Sequence, residues 1–396
     1  MTGFTEPHGA IPYSTEIIPP ADVNRIVDNS RTQFRRSLHH WTVVPSPDPT
    51  ASNTPFIPTY AASWSAILAC VSTSAATPFL YRLSQNADSW TALVDYDGMD
   101  VGAQLVVAQI PATGQLIGFN TASDDNFYMH EGGGDAGSGM MGNYDFPGAS
   151  SFTATGPALY IPGATTAADM WVVPGRRDTD YPAVVVFSAA GSDATIFSSA
   201  TGSGMSMYRA AYGNDLIVAV GGTNTAKTVA ISDYLGATWT WGAFPTLTGA
   251  ITTAQPSITY DSVRELFIAT MLDASYQVNY CSSPDGSSWG AWREIPGVGA
   301  NPSDVDELTA DIIAIGGTWI VCRPFNSVLA GAGIMQVMAS HDGGATWFDI
   351  SPPVAIASTH GSWMVPLGNR VAVCTTARMA ISEPFDEGTG IASVSV

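Results

Sequence analysis

The sequence is poor in positive charge. Its 396 residues include 14 lysines and arginines against 34 aspartates and glutamates, and Lys227 is the only lysine. The formal net charge of −20 lies entirely beyond residue 45, because four acids and four arginines cancel before that point. A surface this acidic repels phosphate and gains nothing from counterion release, so sequence-specific nucleic-acid binding is not expected. The negative charge favours solubility. It would also suit a surface along which DNA moves without binding, because like charges repel.

Export and membrane signals are also missing. Residues 1–10 have neither a basic start nor an apolar run, so we predict no classical secretion signal. No stretch approaches the ~18 apolar residues of a membrane span. Cysteine is scarce and no Cys-x-x-Cys pair occurs, so buried reduced thiols are expected rather than disulfides. The four cysteines are Cys70, Cys281, Cys322 and Cys374.

Patterns for metal and phosphate sites are incomplete. Residues 95–100 read D-x-D-G-x-D like the start of a calcium loop, but the bidentate glutamate at the twelfth position is missing. His39-His40 and His130-Glu131 do not fit the spacing of zinc ligands. The only lysine does not follow a glycine-rich loop, which argues against a phosphate-binding loop. We therefore predict no cofactor and no metal site, and interpret residues 95–100 as an acidic turn.

Turn-forming and β-branched residues are abundant. With 39 glycines and 26 prolines in a chain that is 45% hydrophobic, the composition favours many short strands. The length exceeds the about 250–300 residues at which single cores stop growing, which favours a repeat architecture. An unbroken apolar run recurs at intervals of 38 to 65 residues, and such runs suit strands buried on both faces. The runs begin at Ile67, Leu105, Met170, Leu216, Leu266, Trp319 and Val371.

A second pattern begins 11 to 21 residues after the start of each run. Residues 340–347 read S-H-D-G-G-A-T-W, residues 232–239, 283–289 and 84–90 are near copies, and weaker echoes begin at three further serines. At a hairpin tip, serine and aspartate accept backbone N–H groups, glycine supplies a positive φ, and the aromatic packs back over the turn. We predict a structural role for Ser340, Asp342, Gly344, Thr346, Trp347, Ser283, Asp285, Trp289, Ser232, Gly236 and Trp239.

These segments resemble the Asp-box (BNR) repeats of sialidase-like β-propellers, S-x-D-x-G-x-T-W, over roughly residues 57–396. The resemblance implies an all-β fold, a β-propeller. The seven copies of the pattern predict about seven four-stranded blades, with six, the number in sialidases, as the alternative. The second blade is placed at residues 98–132, and the seventh is expected to end on residues 391–396. The strands predicted for the fourth blade are residues 207–212, 216–222, 228–232 and 238–244.

Residues 1–45 lie outside the repeat and are predicted to form an N-terminal arm ahead of a propeller of residues 46–396. Residues 21–40 follow two prolines and have apolar residues broadly on one face and arginines on the other, so an amphipathic helix is expected. Such a helix either lies across the propeller or docks on another subunit. The predicted docking residues are Val23, Ile26, Val27, Arg31, Phe34, Arg35, Arg36 and Leu38. The glycine-rich residues 132–148 are interpreted as a linker between blades.

The resemblance to sialidases does not extend to their catalytic residues. That family needs three convergent arginines, a tyrosine nucleophile with a glutamate partner, and an acid/base aspartate, and its first arginine stands in an R-I-P motif. Here the first blade has only Arg82, in Y-R-L, and no family residue transfers position by position. A carboxylate pair for glycoside hydrolysis could stand among the 34 acids, but spacing along a chain does not reveal it. We therefore predict no catalytic residue and no enzymatic activity.

These observations favour a non-catalytic structural or interaction protein. A protein with degenerate Asp boxes, an N-terminal arm and no export signal resembles structural or receptor-binding components of tailed-phage virions. The expected role is a tail nozzle, hub or fibre component. Such a component is assembled in the host cytoplasm. The expected partners are then other virion proteins bound through the arm, in a homo-oligomeric ring, with a glycan receptor as a further candidate. The alternatives are a carbohydrate-binding or sialidase-like glycoside hydrolase propeller, and a cellular scaffold propeller.

Overall fold

The computed structural model describes residues 41–45, 57–61, 66–72, 78–84, 89–95, 105–109, 116–120, 126–130, 141–145, 151–163, 170–178, 181–188, 194–199, 204–222, 227–233, 236–247, 254–296, 308–326, 333–352, 363–374 and 378–385. The predicted helix at residues 21–40, with its docking residues, lies outside these stretches. Within them, no helix is long and apolar enough to cross a membrane.

The described residues fold into strands joined by turns. In chain order the strands are β1 (Trp41–Pro45), β2 (Thr59–Ala61), β3 (Ala66–Ser72), β4 (Pro78–Ser84), β5 (Thr91–Asp95), β6 (Leu105–Gln109), β7 (Leu116–Asn120), β8 (Asn126–His130), β9 (Met141–Asp145), β10 (Phe152–Ala154), β11 (Leu159–Ile161), β12 (Met170–Arg177), β13 (Tyr181–Ser188), β14 (Ala194–Ser198), β15 (Ser206–Gly213), β16 (Leu216–Gly222), β17 (Lys227–Asp233), β18 (Trp239–Ala243), β19 (Ala254–Gln255), β20 (Ser257–Asp261), β21 (Leu266–Leu272), β22 (Val278–Ser283), β23 (Arg293–Glu294), β24 (Leu308–Thr309), β25 (Asp311–Ile315), β26 (Thr318–Asn326), β27 (Gly333–Ser340), β28 (Phe348–Asp349), β29 (Trp363–Leu367), β30 (Arg370–Cys374) and β31 (Arg378–Ser382).

The strands pair into seven antiparallel sheets, numbered here along the chain. Sheets 1 to 6 are β2–β5, β6–β9, β10–β14, β15–β18, β20–β23 and β25–β28, and sheet 7 is β29–β31 with β1. A short parallel pair, β19 with β24, lies outside them. Each sheet contacts the next along the chain, and sheet 7 contacts sheet 1 through β29 and β2. A ring of small antiparallel sheets is the architecture of a β-propeller, so the predicted all-β propeller fold is confirmed.

The ring is closed by a strand from the other end of the chain. β1 pairs antiparallel with β31, so that Trp41 stands opposite Ser382. Val44 is fully buried, and the Trp41 indole donates a 2.7 Å hydrogen bond to the carbonyl of Ile350, beside β28 of sheet 6. The outer strand of sheet 7 is therefore β1, whereas the sequence placed it at residues 391–396, which lie outside the described residues. The predicted arm of residues 1–45 thus includes a strand of the ring.

The apolar runs lie on the second strand of six sheets, where both faces of the strand are covered. In β16, for example, Ile217, Val218, Ala219 and Val220 have no exposed surface. Such strands pack against the neighbouring sheet on either side, which accounts for the small residue at the end of most runs. The predicted strands of sheet 4 agree with β15–β18 to within one or two residues at either end.

Sheet 2 departs from the predicted layout. Its apolar run forms β6, the first strand of the sheet, and its outer strand is β9, inside the segment interpreted as a linker. Sheet 2 therefore spans β6 to β9 rather than residues 98–132. The residues of β9, M-G-N-Y-D, lack an apolar alternation, so this strand is determined by its pairing with β8 and not by its own sequence.

The predicted reduced thiols are confirmed for three of the four cysteines. Cys281, Cys322 and Cys374 are free and buried, and the side chain of Cys70 lies outside the described residues. Burial raises the pKa of the Cys281 and Cys374 thiols, which keeps them protonated and unreactive at neutral pH.

Candidate functional site

The Asp box of sheet 6 is a turn held by its own side chains. Ser340 Oγ donates to Asp342 Oδ1 over 2.9 Å and accepts the Gly344 N–H over 2.8 Å. The two carboxylate oxygens of Asp342 accept the Thr346 N–H over 2.8 Å and the Thr346 hydroxyl over 2.5 Å. The side chains of Ser340, Asp342 and Thr346 are thus engaged with one another and with backbone N–H groups inside the turn between β27 and β28.

The boxes of sheets 4 and 5 share one contact with the box of sheet 6. In each, the tryptophan indole donates to the carbonyl of the glycine three residues earlier, over 3.0 Å for Trp239, 2.8 Å for Trp289 and 3.2 Å for Trp347. The remaining polar residues differ. Ser232 donates to the Thr238 carbonyl, whereas Ser283 donates to Asp285, which accepts the N–H groups of the two serines that follow it.

Each box turn also packs on the preceding sheet. Gly286 has a φ of 71°, and a Cβ atom there would lie 2.5 Å from Val218 of sheet 4. Gly344 has a φ of 85°, and a Cβ atom there would lie 2.5 Å from the Tyr280 hydroxyl of sheet 5, which donates to the Gly344 carbonyl over 3.0 Å. Glycine is needed at both positions for its conformation and for the close approach of neighbouring sheets.

Replacing Asp342 with alanine should lower the free energy of unfolding by about 1–3 kcal/mol, because the turn N–H groups lose their acceptor. Urea titration followed by tryptophan fluorescence measures the change. The control is Glu294→Ala on the exposed strand β23, which should change the free energy by less than about 0.5 kcal/mol. Unchanged stability of the Asp342 variant, together with lost ligand binding, would show that the box is a binding site and not a structural turn.

The box carboxylates should make stability depend on acid pH. The N–H groups of Ser288 and Ser287 lower the pKa of Asp285. Burial raises the pKa of Asp342, but hydrogen bonds from Thr346 and Ser340 outweigh it and hold the pKa below its usual value. Carboxylates with a depressed folded pKa stabilise the protein above about pH 4 and lose that contribution as the pH falls through the folded pKa.

The stability difference between the protein and its Asp285→Asn variant should therefore be full at pH 6 and shrink between about pH 4 and pH 2. Urea titrations of both proteins at each pH measure it. A difference that stays constant down to the lowest pH at which both remain folded would contradict this assignment.

A cavity of about 400 Å³ lies where the first strands of the sheets converge. Its lining comes from or directly beside β2, β11, β12, β15, β20, β25 and β29, which belong to six of the seven sheets. None of the predicted Asp-box residues lines it, because the boxes lie at turns between the third and outer strands. The volume falls within the about 300–1,000 Å³ of small-molecule sites, which makes this cavity the candidate functional site.

A buried ion pair occupies one side of the cavity. The Arg209 guanidinium on β15 binds Asp311 on β25 through two nitrogens, with Nε 2.9 Å from Oδ1 and Nη2 bonded to Oδ2. Asp311 also accepts the Ser257 hydroxyl over 2.5 Å and the Met364 N–H over 2.6 Å. The Arg209 guanidinium carbon lies 4.2 Å from the centre of the Trp363 ring. The pair thereby joins sheets 4, 5, 6 and 7 at the centre of the ring.

Four tyrosines give the cavity an aromatic lining. They come from four different sheets, and each is partly buried: Tyr60, Tyr160, Tyr212 and Tyr260. The Tyr160 ring packs on Trp171 at 5.1 Å between centroids. Burial, together with the charges of Glu265 and Asp261, raises the pKa of Tyr260, so its hydroxyl stays protonated at neutral pH.

Two polar groups in the lining have unused hydrogen-bonding capacity. Thr59 is 2% exposed and Trp171 is 1% exposed. Within the described part of the protein, neither Thr59 Oγ1 nor Trp171 Nε1 has a hydrogen-bond partner. Both atoms are fully buried behind the surface of the cavity, so they are not exposed to a ligand bound there.

The cavity residues were not predicted from the sequence. A usable signal was present, because Tyr60, Tyr160, Tyr212 and Tyr260 each stand four to ten residues before an apolar run. The candidate metal patterns are not testable here, because residues 96–100, His39-His40 and Glu131 lie outside the described residues. Among the residues that are described, no group of three or more histidines, cysteines or acids could hold a metal ion.

The protein resembles solved β-propellers at low sequence identity. An ulvan lyase of polysaccharide lyase family PL25 matches with a TM-score of 0.55 and 9% identity, over 86% of this chain and 94% of that one. Sqt1 from Saccharomyces cerevisiae matches with a TM-score of 0.54 and 8% identity, over 87% of this chain and 100% of that one. The NanB sialidase from Streptococcus pneumoniae matches with a TM-score of 0.45 and 13% identity, over 87% of this chain and 70% of that one. No protein-family model and no curated protein matches the sequence. At these identities the likeness shows the fold alone.

Proposed function

We propose that this protein is a non-catalytic, seven-bladed propeller, with one blade for each sheet, that binds a carbohydrate in its central cavity. The observation that carries the proposal is the lining, in which tyrosines from four different sheets converge on one cavity. Of the alternatives derived from the sequence, carbohydrate binding is the one that this lining supports.

The chemistry of sugars matches the rings and the hydroxyl groups of the lining tyrosines. A pyranose ring has an apolar face of C–H bonds that packs on aromatic rings, and a rim of hydroxyl groups that donate and accept hydrogen bonds. The partly buried tyrosines offer rings and hydroxyls together, which is the usual role of tyrosine at binding sites. The ulvan lyase, which acts on a polysaccharide, demonstrates that this fold is compatible with carbohydrate recognition.

Binding without catalysis is favoured by the state of the acid in the cavity. Asp311 is the one carboxylate in the described lining, and both of its oxygens are occupied by Arg209, Ser257 and the Met364 N–H. Glycoside hydrolysis requires an acid that can transfer a proton and a second carboxylate or equivalent nucleophile nearby. A carboxylate held by this many donors is a structural anchor, and the proposed activity is therefore recognition.

A glycan array probed with the labelled protein, followed by calorimetry on the glycans that bind, tests the proposal. Tyr160→Ala and Tyr212→Ala should each weaken binding about tenfold, because each removes an aromatic contact in the cavity. The matched control is Tyr181→Ala, at the start of β13, where the side chain is 38% exposed and outside the cavity lining. Absence of binding, or equal weakening by the control, would contradict the proposal. Cleavage of a bound glycan, seen by mass spectrometry, would overturn its non-catalytic part.

A further inference from the structure

Arg209 keeps hydrogen-bond donors that the described protein does not use. A guanidinium carries five N–H groups, and Asp311 accepts two of them, one from Nε and one from Nη2. Arg209 makes no other hydrogen bond within the described residues, so both N–H groups of Nη1 and the second N–H of Nη2 have no acceptor there. Donors on a side chain this deeply buried are nearly always paired, so these point to an acceptor that the described residues do not supply.

The unused donors are accessible from the cavity. Arg209 is a lining residue, and 8% of its side chain remains exposed. Arg209 Nη1 is not fully buried, in contrast to Thr59 Oγ1 and Trp171 Nε1, which are. The part of the side chain that stays exposed therefore borders the cavity, where a bound ligand can reach Nη1.

The guanidinium is also held in one orientation. Its Nε–Nη2 edge is bonded to Asp311, and its carbon lies 4.2 Å from the centre of the Trp363 ring, which covers one face of the plane. Asp311 is fixed in turn by the Ser257 hydroxyl and the Met364 N–H. A ligand thus meets donors that are already in place, so that binding orders no additional side chain here.

The remaining edge of the guanidinium matches a particular pair of acceptors. With the Nε–Nη2 edge occupied by Asp311, the second edge, between Nη1 and Nη2, still presents two parallel N–H groups. Such an edge binds two oxygens that lie side by side, one on each nitrogen. In a sugar, two neighbouring hydroxyl groups or the two oxygens of a carboxylate have this arrangement.

We infer that Arg209 is the residue that orients the sugar, by donating from its Nη1–Nη2 edge to two neighbouring oxygens of the ligand. This inference rests on the proposed carbohydrate-binding function and names the polar contact of that site. The tyrosine rings pack on the C–H face of the sugar, and Arg209 selects which of its oxygens point toward sheet 4.

Calorimetry with the full-length protein tests the inference on sugars that differ by one oxygen. The probes are the methyl glycosides of glucose, galactose and mannose, and, for each that binds, the deoxy analogues that lack one ring hydroxyl at a time. Loss of either of two neighbouring hydroxyls should weaken binding about 10–100-fold, the range for a hydrogen bond to a charged group. Tighter binding of methyl glucuronide than of methyl glucoside would instead identify a carboxylate as the source of the two oxygens.

The same titrations with Arg209→Lys decide whether the effect belongs to Arg209. Lysine keeps a positive charge opposite Asp311 but has no planar pair of N–H groups. Its affinity for the sugar should fall at least about tenfold, and loss of one of the two oxygens should then weaken binding by less than about threefold. Arg209→Met with Asp311→Leu, which removes the donors altogether, should give the same result.

The matched control is Arg293→Lys on the exposed strand β23, which should leave every affinity unchanged. Urea titration of each variant establishes that it is folded under the conditions of the calorimetry. Unchanged affinity of the Arg209 variants, or the same loss on removal of an oxygen in the protein and its variants, overturns the inference and leaves the carbohydrate-binding function intact. Binding of neither these sugars nor any glycan on the array overturns both.

Discussion

Replacing Asp311 with asparagine should lower the free energy of unfolding by about 3–5 kcal/mol, the range for removing one partner of a buried ion pair. The substitution keeps the shape of the side chain but leaves the buried Arg209 guanidinium without its counter-charge. With the asparagine NH₂ group in the place of Asp311 Oδ2, Arg209 Nη2 and the Met364 N–H face a donor where they had an acceptor. Since the pair joins four sheets at the centre of the ring, the change should affect global unfolding and not a local turn.

Urea titration of the protein and three variants measures this effect. The double variant Arg209→Met with Asp311→Leu should recover only part of the lost stability. An apolar pair of similar volume carries no desolvation cost, but the Ser257 hydroxyl and the Met364 N–H lose their acceptor. The exposed control Glu294→Gln on β23 should change stability by less than about 0.5 kcal/mol. A decrease below about 1 kcal/mol for Asp311→Asn would contradict the view that the pair stabilises the ring.

Deleting residues 1–45 should lower the free energy of unfolding by at least about 3 kcal/mol more than deleting residues 1–39 does. The longer deletion removes β1, and with it the burial of Val44, which contributes about 1.5–3 kcal/mol. It also removes the Trp41 hydrogen bond to Ile350, worth about 0.5–1.5 kcal/mol, and the pairing with β31. The shorter deletion ends before the first residue of the ring.

Denaturant titration and size-exclusion chromatography of both deletion proteins compare them directly. The substitution Val44→Asp in the full-length chain provides a second route, because it places an unpaired charge at a buried position without shortening the chain. It should destabilise the protein about as much as the longer deletion. Equal stability of the two deletion proteins would show that β1 does not hold the ring closed.

The features that sequence reasoning predicted correctly depend on local chemistry. The strands of sheet 4 follow from an apolar run, an Asn214-Asp215 turn with positive φ at both residues, and the Ser232 box. Each signal lies within a few residues of the strand that it positions. In the box of sheet 6, Ser340 and Asp342 accept backbone N–H groups of the turn, whereas Ser232 in the box of sheet 4 donates to a carbonyl.

The features that it missed depend on residues far apart in the chain. Arg209 and Asp311 are 102 positions apart, and nothing near either residue marks it as a partner of the other. The closing strand β1 was assigned to the arm because its pairing with β31 joins opposite ends of the sequence. The cavity itself exists only once the sheets have assembled, so its tyrosines read as ordinary strand residues beforehand.

The assembly role inferred from the sequence stays a prediction. Its virion location, its partners and its homo-oligomeric ring all depend on the arm, and residues 1–40 lie outside the described residues. Carbohydrate binding and incorporation into a larger assembly are compatible, since a binding propeller can be displayed by a partner. Co-purification of the protein deleted for residues 1–39 with its assembly, compared with the full chain, separates the two properties.

The closing strand also has a consequence for synthesis of the protein. Trp41 and Ile350 are 309 positions apart, so at about 5–20 residues per second a ribosome needs about 15–60 s to go from one to the other. During that time the nascent chain already carries β1 and completed sheets, but sheet 7 does not yet exist. Until β31 is synthesised, β1 has no partner strand, and its backbone N–H and C=O groups can pair with other chains. The time between translation of residue 41 and residue 382 is therefore the period in which this protein is most exposed to misassembly, and chain closure is the event that ends it.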